Sequence, residues 1–209
     1  MSVSRRRAVQ IVVCLVFGAL ALGAMANVWA EPEKGKLSAT IESSSGDEIG
    51  RIKLSEDDGT IVVRGDLDGL SAGFHGFHVH TVGICDPAAT DPSGATVPFY
   101  SAGGHFNPGS ASHGSHAGDM PPLLVAADGS AWTKFKTDRF TLDSLLDADG
   151  SAIIVHAGPD NLANIPATTS SGAERYHSHT EDVSGPDSAT LATGDAGSRF
   201  GCGVVEGSE

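Results

Sequence analysis

The sequence predicts an all-β fold, an antiparallel β-barrel or sandwich with two long functional loops. Short segments with strand periodicity recur along the chain, and turns rich in Gly and Asp separate them. The composition agrees, because 27 glycines among 209 residues and only 6% aromatic residues suit a turn-rich β protein better than a helical one. Two stretches without periodicity are too long to be ordinary connections, which indicates that they carry the function.

Strand periodicity marks seven segments of the chain. Turn-forming residues at 44–47 and 57–59 separate the first three of them. The predicted strands cover residues 37–42, 49–54, 61–65, 76–82, 131–136, 153–156 and 202–205. Between them run the long loops, at about 84–122 and 158–197. We find no internal repeat and no long amphipathic helix, although residues 143–147 could form a single turn of helix.

The first thirty residues differ from all that follow. Three arginines at 5–7 precede an uncharged apolar run over 11–26, and small residues lie ahead of Glu31. This is the pattern of a secretory signal peptide, although an uncleaved membrane anchor stays open because the run approaches the roughly 18 residues of a spanning helix. The predicted organisation is therefore a signal peptide (1–30), a flexible segment (31–36) and one domain (37–209). We expect an exported protein, located in the periplasm or cell envelope or secreted, and tethered to a membrane only if the N-terminal segment is retained.

The charge of the chain excludes some partners. It contains 13 Lys and Arg against 26 Asp and Glu, and residues 1–30 include three of the cations and no acid, so the remainder carries a net charge of −16. Nucleic acids and anionic membranes both require a basic face, so we expect neither as a partner.

Two cysteines, Cys85 and Cys202, lie outside the N-terminal segment. In an exported chain such a pair predicts a single disulfide, with two unrelated buried thiols as the alternative.

The placement of the histidines suggests a metal site. His78 and His80 lie two apart in a predicted strand, so both side chains leave the same face. His105 follows two glycines, and the spacing H-x2-H-x2-D of His113, His116 and Asp119 resembles that of neighbouring ligands on tetrahedral zinc. Each group alone has a simpler interpretation, as accidental histidines on a strand or in a polar loop. His156, at the end of an apolar strand, would by itself be a hydrogen-bonded core histidine.

Taken together, five segments resemble the copper/zinc superoxide dismutase family, in that family's order. They are GFHGFHVH (73–80), GGHFNP (103–108), HAGDMP (116–121), VHAGPDN (155–161) and GSRFGCGV (197–204). The resemblance covers about residues 36–206 and implies a Greek-key barrel.

The resemblance also implies two metal ions. Copper would be bound by four histidines and zinc by three histidines and one aspartate, with one histidine shared: His78, His80, His105 and His156 for copper, and His105, His113, His116 and Asp119 for zinc. Such donor sets suit Cu(II) and closed tetrahedral Zn²⁺. The shared imidazole must lose both ring protons, and two flanking dications can stabilise that anion.

Further residues acquire roles from the same resemblance. Asp160 would bridge a copper-bound and a zinc-bound histidine and fix their orientation. Arg199 would attract and orient the superoxide anion beside copper. His75 would be a hydrogen-bonded framework residue, and Cys85 and Cys202 would form the family's disulfide. The implied reaction is dismutation of superoxide to oxygen and hydrogen peroxide, with His105 also delivering a proton.

Some features depart from the family or remain open. The gap between His113 and His116 is several residues shorter than in familiar members, and we still expect zinc to bind through a tighter loop. His177 and His179 match no family ligand, and are interpreted as a solvated segment or an accessory metal site. Two other functions compete with catalysis, a copper-delivery protein on the same scaffold and an exported interaction module. A homodimer also stays open, because interface strands cannot be distinguished from other edges.

Overall fold

The computed structural model describes residues 35–208. The predicted signal peptide and residues 31–34 of the predicted flexible segment lie outside this range. The chain contains these strands, in order: β1 (Lys36–Ser43), β2 (Glu48–Asp57), β3 (Thr60–Leu67), β4 (Gly73–His75), β5 (Phe77–His80), β6 (Leu123–Val125), β7 (Ala131–Thr137), β8 (Ala152–His156), β9 (His177–Ser178), β10 (Val183–Ser184), β11 (Arg199–Val204) and β12 (Glu206–Gly207). One helix, α1 (Ser188–Thr193), lies in the second long loop, and 3₁₀ turns cover Tyr100–Ala102 and Asp143–Leu145.

The main sheet is antiparallel and follows the order β5-β8-β11-β1-β2-β3-β7, with β12 also paired to β1. Three consecutive strands, β1 to β3, are joined by hairpins, and β11 returns from far along the chain to lie beside β1. This is a Greek-key connection, so the predicted all-β fold class is confirmed. No helix in residues 35–208 is long and apolar enough to cross a membrane.

The core lies on one side of the curled sheet because apolar residues alternate with polar ones along its strands. Leu37, Ala39 and Ile41 of β1 are buried, and so are Ile52 and Leu54 of β2. Full burial of each of these Leu and Ile side chains contributes about 1.5–3 kcal/mol.

The predicted strand at 76–82 is wrong in detail. The chain forms two short strands, β4 and β5, that are interrupted at Gly76. The backbone of Gly76 instead forms hydrogen bonds at the end of β8 and just beyond it. Its N–H donates to the Gly158 carbonyl, and its carbonyl accepts from the His156 N–H. A Cβ on Gly76 would lie 2.6 Å from the Cβ of Ala196, so this close crossing requires glycine.

A second, smaller apolar cluster lies beside the first long loop. It contains Phe99 and Ala102 of the loop, Ile154 of β8 and Cys202 of β11. Cys202 is bonded to Cys85, 117 residues earlier, which confirms the predicted disulfide and fixes the loop to the last long strand.

Candidate metal centre

Six histidines and one aspartate from four separate stretches of chain meet at one end of the barrel. All seven are buried: His78, His80, His105, His113, His116, Asp119 and His156. The strands β5 and β8 supply three of them, and the first long loop supplies the other four. Isolated bridges link the two sources, His78 with Asp119 and His80 with His105.

The first ligand group consists of four histidines whose donor atoms lie within 4.8 Å of one another: His78, His80, His105 and His156. Three of these rings are oriented by a bond at the nitrogen that faces away from the group. His80 Nδ1 donates to the Gly103 carbonyl at 2.9 Å, and His156 Nδ1 donates to the Gly197 carbonyl at 3.0 Å. His78 Nε2 lies 2.7 Å from Asp160 Oδ2.

The opposite nitrogens of the same three rings are buried without any hydrogen-bond partner: His78 Nδ1, His80 Nε2 and His156 Nε2. Because a neutral imidazole carries one N–H, the bonded nitrogen holds the proton and the orphaned nitrogen presents a lone pair. Burial lowers the pKa of His78 to about 4 and that of His156 to about 3, and it holds the pKa of His80 well below its ordinary value. These rings are therefore neutral ligands at physiological pH, and the set fits a cation that binds imidazole, such as copper.

The second ligand group surrounds one carboxylate oxygen. Asp119 Oδ1 lies 3.0 Å from His105 Nδ1 and 3.3 Å from the Nδ1 atoms of both His113 and His116. The Nδ1 atoms of His105 and His116 are also 3.3 Å apart. A tetrahedron with metal–ligand bonds of about 2.0–2.1 Å has edges of about 3.3–3.4 Å. Three imidazole nitrogens and one carboxylate oxygen at these separations fit zinc.

A second grouping of donor atoms within 4.8 Å joins His78, rather than His116, to His105, His113 and Asp119. We assign His116 to the carboxylate group, since its Nδ1 contacts Asp119 Oδ1 directly. His78 belongs with the first group, because β5 aligns it with His80. His105 is a member of both groupings, and its ring stacks on His78 with centroids 4.0 Å apart.

Asp160 connects the two groups. Its Oδ2 accepts from His78 Nε2, and its Oδ1 accepts from His113 Nε2 at 2.8 Å. Burial opposes ionisation, yet the bonds from His113 and His78 hold the pKa of Asp160 below its ordinary value. The two carboxylates of Asp119 and Asp160 outweigh the burial of His113 and raise its pKa to about 9. Asp160 thus contacts one histidine of each group.

Arg199 lies at the edge of an open cavity of about 480 Å³ that His80, His105 and His156 also line. Its guanidinium donates to the carbonyls of Phe99 and Gly103. The Gly103 carbonyl therefore orients both Arg199 and His80. A larger groove of about 700 Å³ on the other side of Arg199 contains no histidine.

Sequence reasoning missed two residues that shape the second group. Arg139 donates to the carbonyls of Gly114 at 3.3 Å and His116 at 3.1 Å, and so fixes the short His113–His116 gap. Gly194 ends α1 with a φ of 62°, and a Cβ there would lie 2.0 Å from Asp160 Oδ1. An isolated arginine carries no sequence signal for such a contact, whereas a glycine after a helix-length segment is a detectable C-cap.

The remaining histidines bond within the framework or the second loop. His75 Nδ1 lies 2.6 Å from the His156 carbonyl, as expected of a framework residue. Both ring nitrogens of His177 face carboxylates, Glu174 at 2.8 Å and Asp182 at 3.1 Å. Both nitrogens of His177 are thus occupied by carboxylates rather than free for a metal. His179 is exposed, and its ring lies beside that of His177, with centroids 5.0 Å apart. The solvated-segment interpretation fits this hairpin.

A Greek-key β-barrel that carries two adjacent groups of buried metal-ligating side chains defines a class of two-metal proteins. The family described as copper/zinc superoxide dismutase matches residues 48–205. The chain belongs to the copper/zinc superoxide dismutase family.

Relatives named "Superoxide dismutase [Cu-Zn]" share substantial identity with the chain. The protein of Mycobacterium tuberculosis is 41% identical over 179 residues, which are 83% of this chain and 71% of that one. The Escherichia coli protein is 35% identical over 163 residues, covering 75% and 92% of the two chains. The solved structure of Cu/Zn superoxide dismutase from Brucella abortus is 26% identical, with a TM-score of 0.59 over 82% of this chain and 99% of that one.

Proposed function

We propose that this protein dismutates superoxide outside the cytoplasm at a copper–zinc centre bridged by the deprotonated ring of His105. The observation that carries the proposal is that His105 contributes to both ligand groups, since its ring lies among the donors of His78, His80 and His156 and its Nδ1 is also 3.0 Å from Asp119 Oδ1. Its Nδ1 faces Asp119 and His116, which leaves Nε2 for the group of His78, His80 and His156.

Each ligand group then has one metal. Copper would be bound by the group on the strands (His78, His80, His105 and His156), and zinc by the group around Asp119 (His105, His113, His116 and Asp119). When bound, copper supplies one-electron redox chemistry and zinc supplies a redox-inert positive charge.

Arg199 attracts and orients the substrate. Superoxide is an anion and the protein is acidic overall, so attraction must arise locally, in the cavity that Arg199 shares with His80, His105 and His156. Burial lowers the pKa of Arg199. A guanidinium nevertheless stays protonated in proteins, so Arg199 is a cation. The bonds to Phe99 and Gly103 hold the guanidinium at the cavity wall.

His105 supplies a proton. Two superoxide anions and two protons give one oxygen and one hydrogen peroxide, so each turnover needs proton delivery. A proton on His105 Nε2 is directed toward the cavity, while Nδ1 remains with Asp119 and His116. The ring can then accept and release the proton without changing its position.

The site of action is supported by the disulfide between Cys85 and Cys202, since such bonds persist in oxidising compartments outside the cytoplasm. Fractionation of cells, with the mass of the exported protein, tests this part. Activity confined to the cytoplasmic fraction would contradict it.

A copper and zinc count paired with a dismutation assay tests the activity. We expect about one ion of each metal per chain, and loss of most of the activity in His156→Gln with zinc retained, because an amide is a poorer ligand for copper than an imidazole. The matched control is His179→Gln, which removes an exposed histidine of the second loop. Copper binding without dismutation would favour the copper-delivery alternative, and an active His156→Gln would refute the ligand assignment.

The shared ring has its own test. Cobalt(II) replaces zinc in tetrahedral sites, and two paramagnetic ions joined through one imidazolate couple magnetically. The copper resonance signal should disappear in the cobalt-substituted protein. An unchanged copper signal would show that His105 does not join the two ions, even in an active enzyme.

A further inference from the structure

The basic residues of the barrel are concentrated on one side of the main sheet. Of the ten Lys and Arg residues beyond residue 30, six lie on the outward side of β1, β2, β3 and β7. We call this surface the basic face: Lys36, Arg51, Lys53, Arg64, Lys134 and Lys136. Its cations alternate along the strands with buried residues such as Ile52 and Val63, so they point away from the core.

Like charges lie directly opposite one another on the basic face. Lys53 is the cross-strand partner of Arg64, and Arg64 is in turn the partner of Lys134. Such pairs destabilise a sheet. Within residues 35–208, no ion pair joins any of these three cations to a carboxylate. An arrangement that disfavours folding, yet is left uncompensated, points to an external anion.

Five acidic residues lie on or beside the basic face. Glu42 of β1 and Glu48 of β2 are exposed and pair with each other in register. Asp57 forms an ion pair with Lys136 at 2.6 Å, Asp66 is opposite Arg51 in register, and Glu206 lies on the neighbouring strand β12. The part of the face formed by Lys53, Arg64 and Lys134 therefore stays positive.

A groove of about 540 Å³ lies on this face. It is lined by one carboxylate, that of Glu206, and by cations and hydroxyl-bearing side chains, among them Lys36, Arg51, Lys53, Arg64, Ser38 and Thr40. Cations and hydroxyl groups are the side chains that bind phosphate groups.

An exposed apolar corner adjoins the basic face. Trp132 is 70% exposed and lies on the same side of β7 as Lys134. Leu124 is 63% exposed and lies in β6, just before the turn that leads to β7. Phe74 is 57% exposed and is the cross-strand partner of Leu124.

We propose that the basic face and its apolar corner bind the surface of an anionic phospholipid bilayer. Lys and Arg attract the lipid phosphates, and Trp is the residue preferred at the boundary between headgroups and acyl chains. The acidic remainder of the protein is repelled by the same surface, so the barrel binds in one orientation. The net charge of −16 led us to expect no such partner. The proposal differs from that expectation because a sum of charges does not show how the charges are distributed over the fold.

Vesicle binding by the exported protein tests the proposal. Vesicles in which about one lipid in three is phosphatidylglycerol are compared with pure phosphatidylcholine. The chain contains two tryptophans, Trp29 and Trp132, so all samples carry Trp29→Phe if the N-terminal segment is retained. We expect the Trp132 emission to shift to shorter wavelength on the anionic vesicles alone, and the shift to disappear in about 0.5 M salt.

Variants locate the binding surface. The triple change Lys53→Gln, Arg64→Gln and Lys134→Gln should weaken partitioning by about fivefold per cation, or about a hundredfold in total. It should not lower the unfolding temperature, since it removes repulsion. Arg175→Gln removes the same charge from the second loop and should bind like the parent. Trp132→Ser should weaken binding without any change of charge, as measured by sedimentation with the vesicles.

Three outcomes would overturn the proposal. They are equal binding to both kinds of vesicle, full binding by the triple variant, and binding to inorganic polyphosphate or single-stranded DNA but not to bilayers. Dismutase activity is expected to be unchanged in these variants, so the result is independent of the catalytic assignment.

Discussion

The two halves of the metal centre are built on different parts of the fold. The strand half (His78, His80 and His156) lies on β5 and β8 of the main sheet, where the backbone is fixed by ladder hydrogen bonds. The loop half (His113, His116 and Asp119) lies in the first long loop, and among its members Asp119 forms a bridge with His78 of β5. Preorganisation comes from the sheet in the first case, and from individual side-chain and backbone contacts in the second.

The strand half and His113 of the loop half have opposite electrostatics. Burial keeps the imidazoles of the strand half neutral, although their hydrogen bonds to Asp160 and to backbone carbonyls act in the opposite direction. The loop half surrounds a carboxylate, and Asp119 and Asp160 favour the protonated form of His113. Because both halves meet at His105 and Asp160, a change in one need not leave the other intact. Four perturbations separate them.

The largest expected effect is loss of the disulfide. Its loop of 117 residues stabilises by about 4–5 kcal/mol through the entropy of the unfolded chain. Phe99, whose carbonyl holds Arg199, packs in the same cluster as Cys202. Denaturant unfolding of the wild-type protein, with and without reductant, should show a loss of this size. On reduction, the zinc content should fall less than the activity. Unfolding free energies of the oxidised and reduced proteins that lie within about 1 kcal/mol of each other would contradict the prediction.

The next effect is a pH dependence of opposite sign for the strand half and for His113 of the loop half in the metal-free protein. The pKa values of His78 and His156 are lowered to about 4 and about 3, so the unfolded state binds more protons below pH 6.5. The free energy of unfolding should fall by several kcal/mol between about pH 6.5 and 4, because each unit by which a pKa is lowered corresponds to about 1.4 kcal/mol. His113, raised to about 9, acts oppositely: its contribution is complete below pH 6.5 and is lost as the pH rises through about 9.

Variants assign the two limbs of this profile. His156→Gln should reduce only the loss of unfolding free energy below pH 6.5, and His113→Gln should reduce only the loss around pH 9. Chemical denaturation at a series of pH values measures both. If both variants flattened the same limb, the electrostatic contrast between the halves would be wrong.

A smaller effect is expected where the halves join. Asp160→Asn replaces one of the two acceptor oxygens with an NH₂ group. The asparagine can therefore accept a hydrogen bond from His78 or from His113, but its two side-chain atoms cannot accept from both. Such partners of metal-bound histidines affect affinity by about 10–100-fold, so we expect zinc and copper both to be held more weakly. Competition with a chelator measures this, and the exposed Asp138→Asn is the control. Loss of one metal only would show that Asp160 serves a single half.

The strand half was the more predictable from sequence. The alternation of His78 and His80 determines that they share a face, and the apolar run before His156 predicts β8. The loop ligands were recognised by family resemblance, because spacing alone does not determine where a loop turns. The break at Gly76, the helix α1 and the contact of Arg139 depend on packing between segments far apart in the chain, which no local pattern reports. The charge segregation on β1, β2, β3 and β7 was hidden for the same reason.

The smallest expected effect concerns Arg139, which donates to two carbonyls of the loop half and contacts none of its ligand nitrogens. Arg139→Gln should weaken zinc binding by several-fold, about the contribution of one hydrogen bond from a charged donor. Copper affinity should stay unchanged, because the ladder between β5 and β8 does not depend on this contact. Arg139→Lys should restore part of the zinc affinity, since an ammonium group reaches one carbonyl but not both in the planar geometry of the guanidinium. Equal loss of both metals in Arg139→Gln would mean that the short loop supports the whole centre rather than the zinc ligands alone.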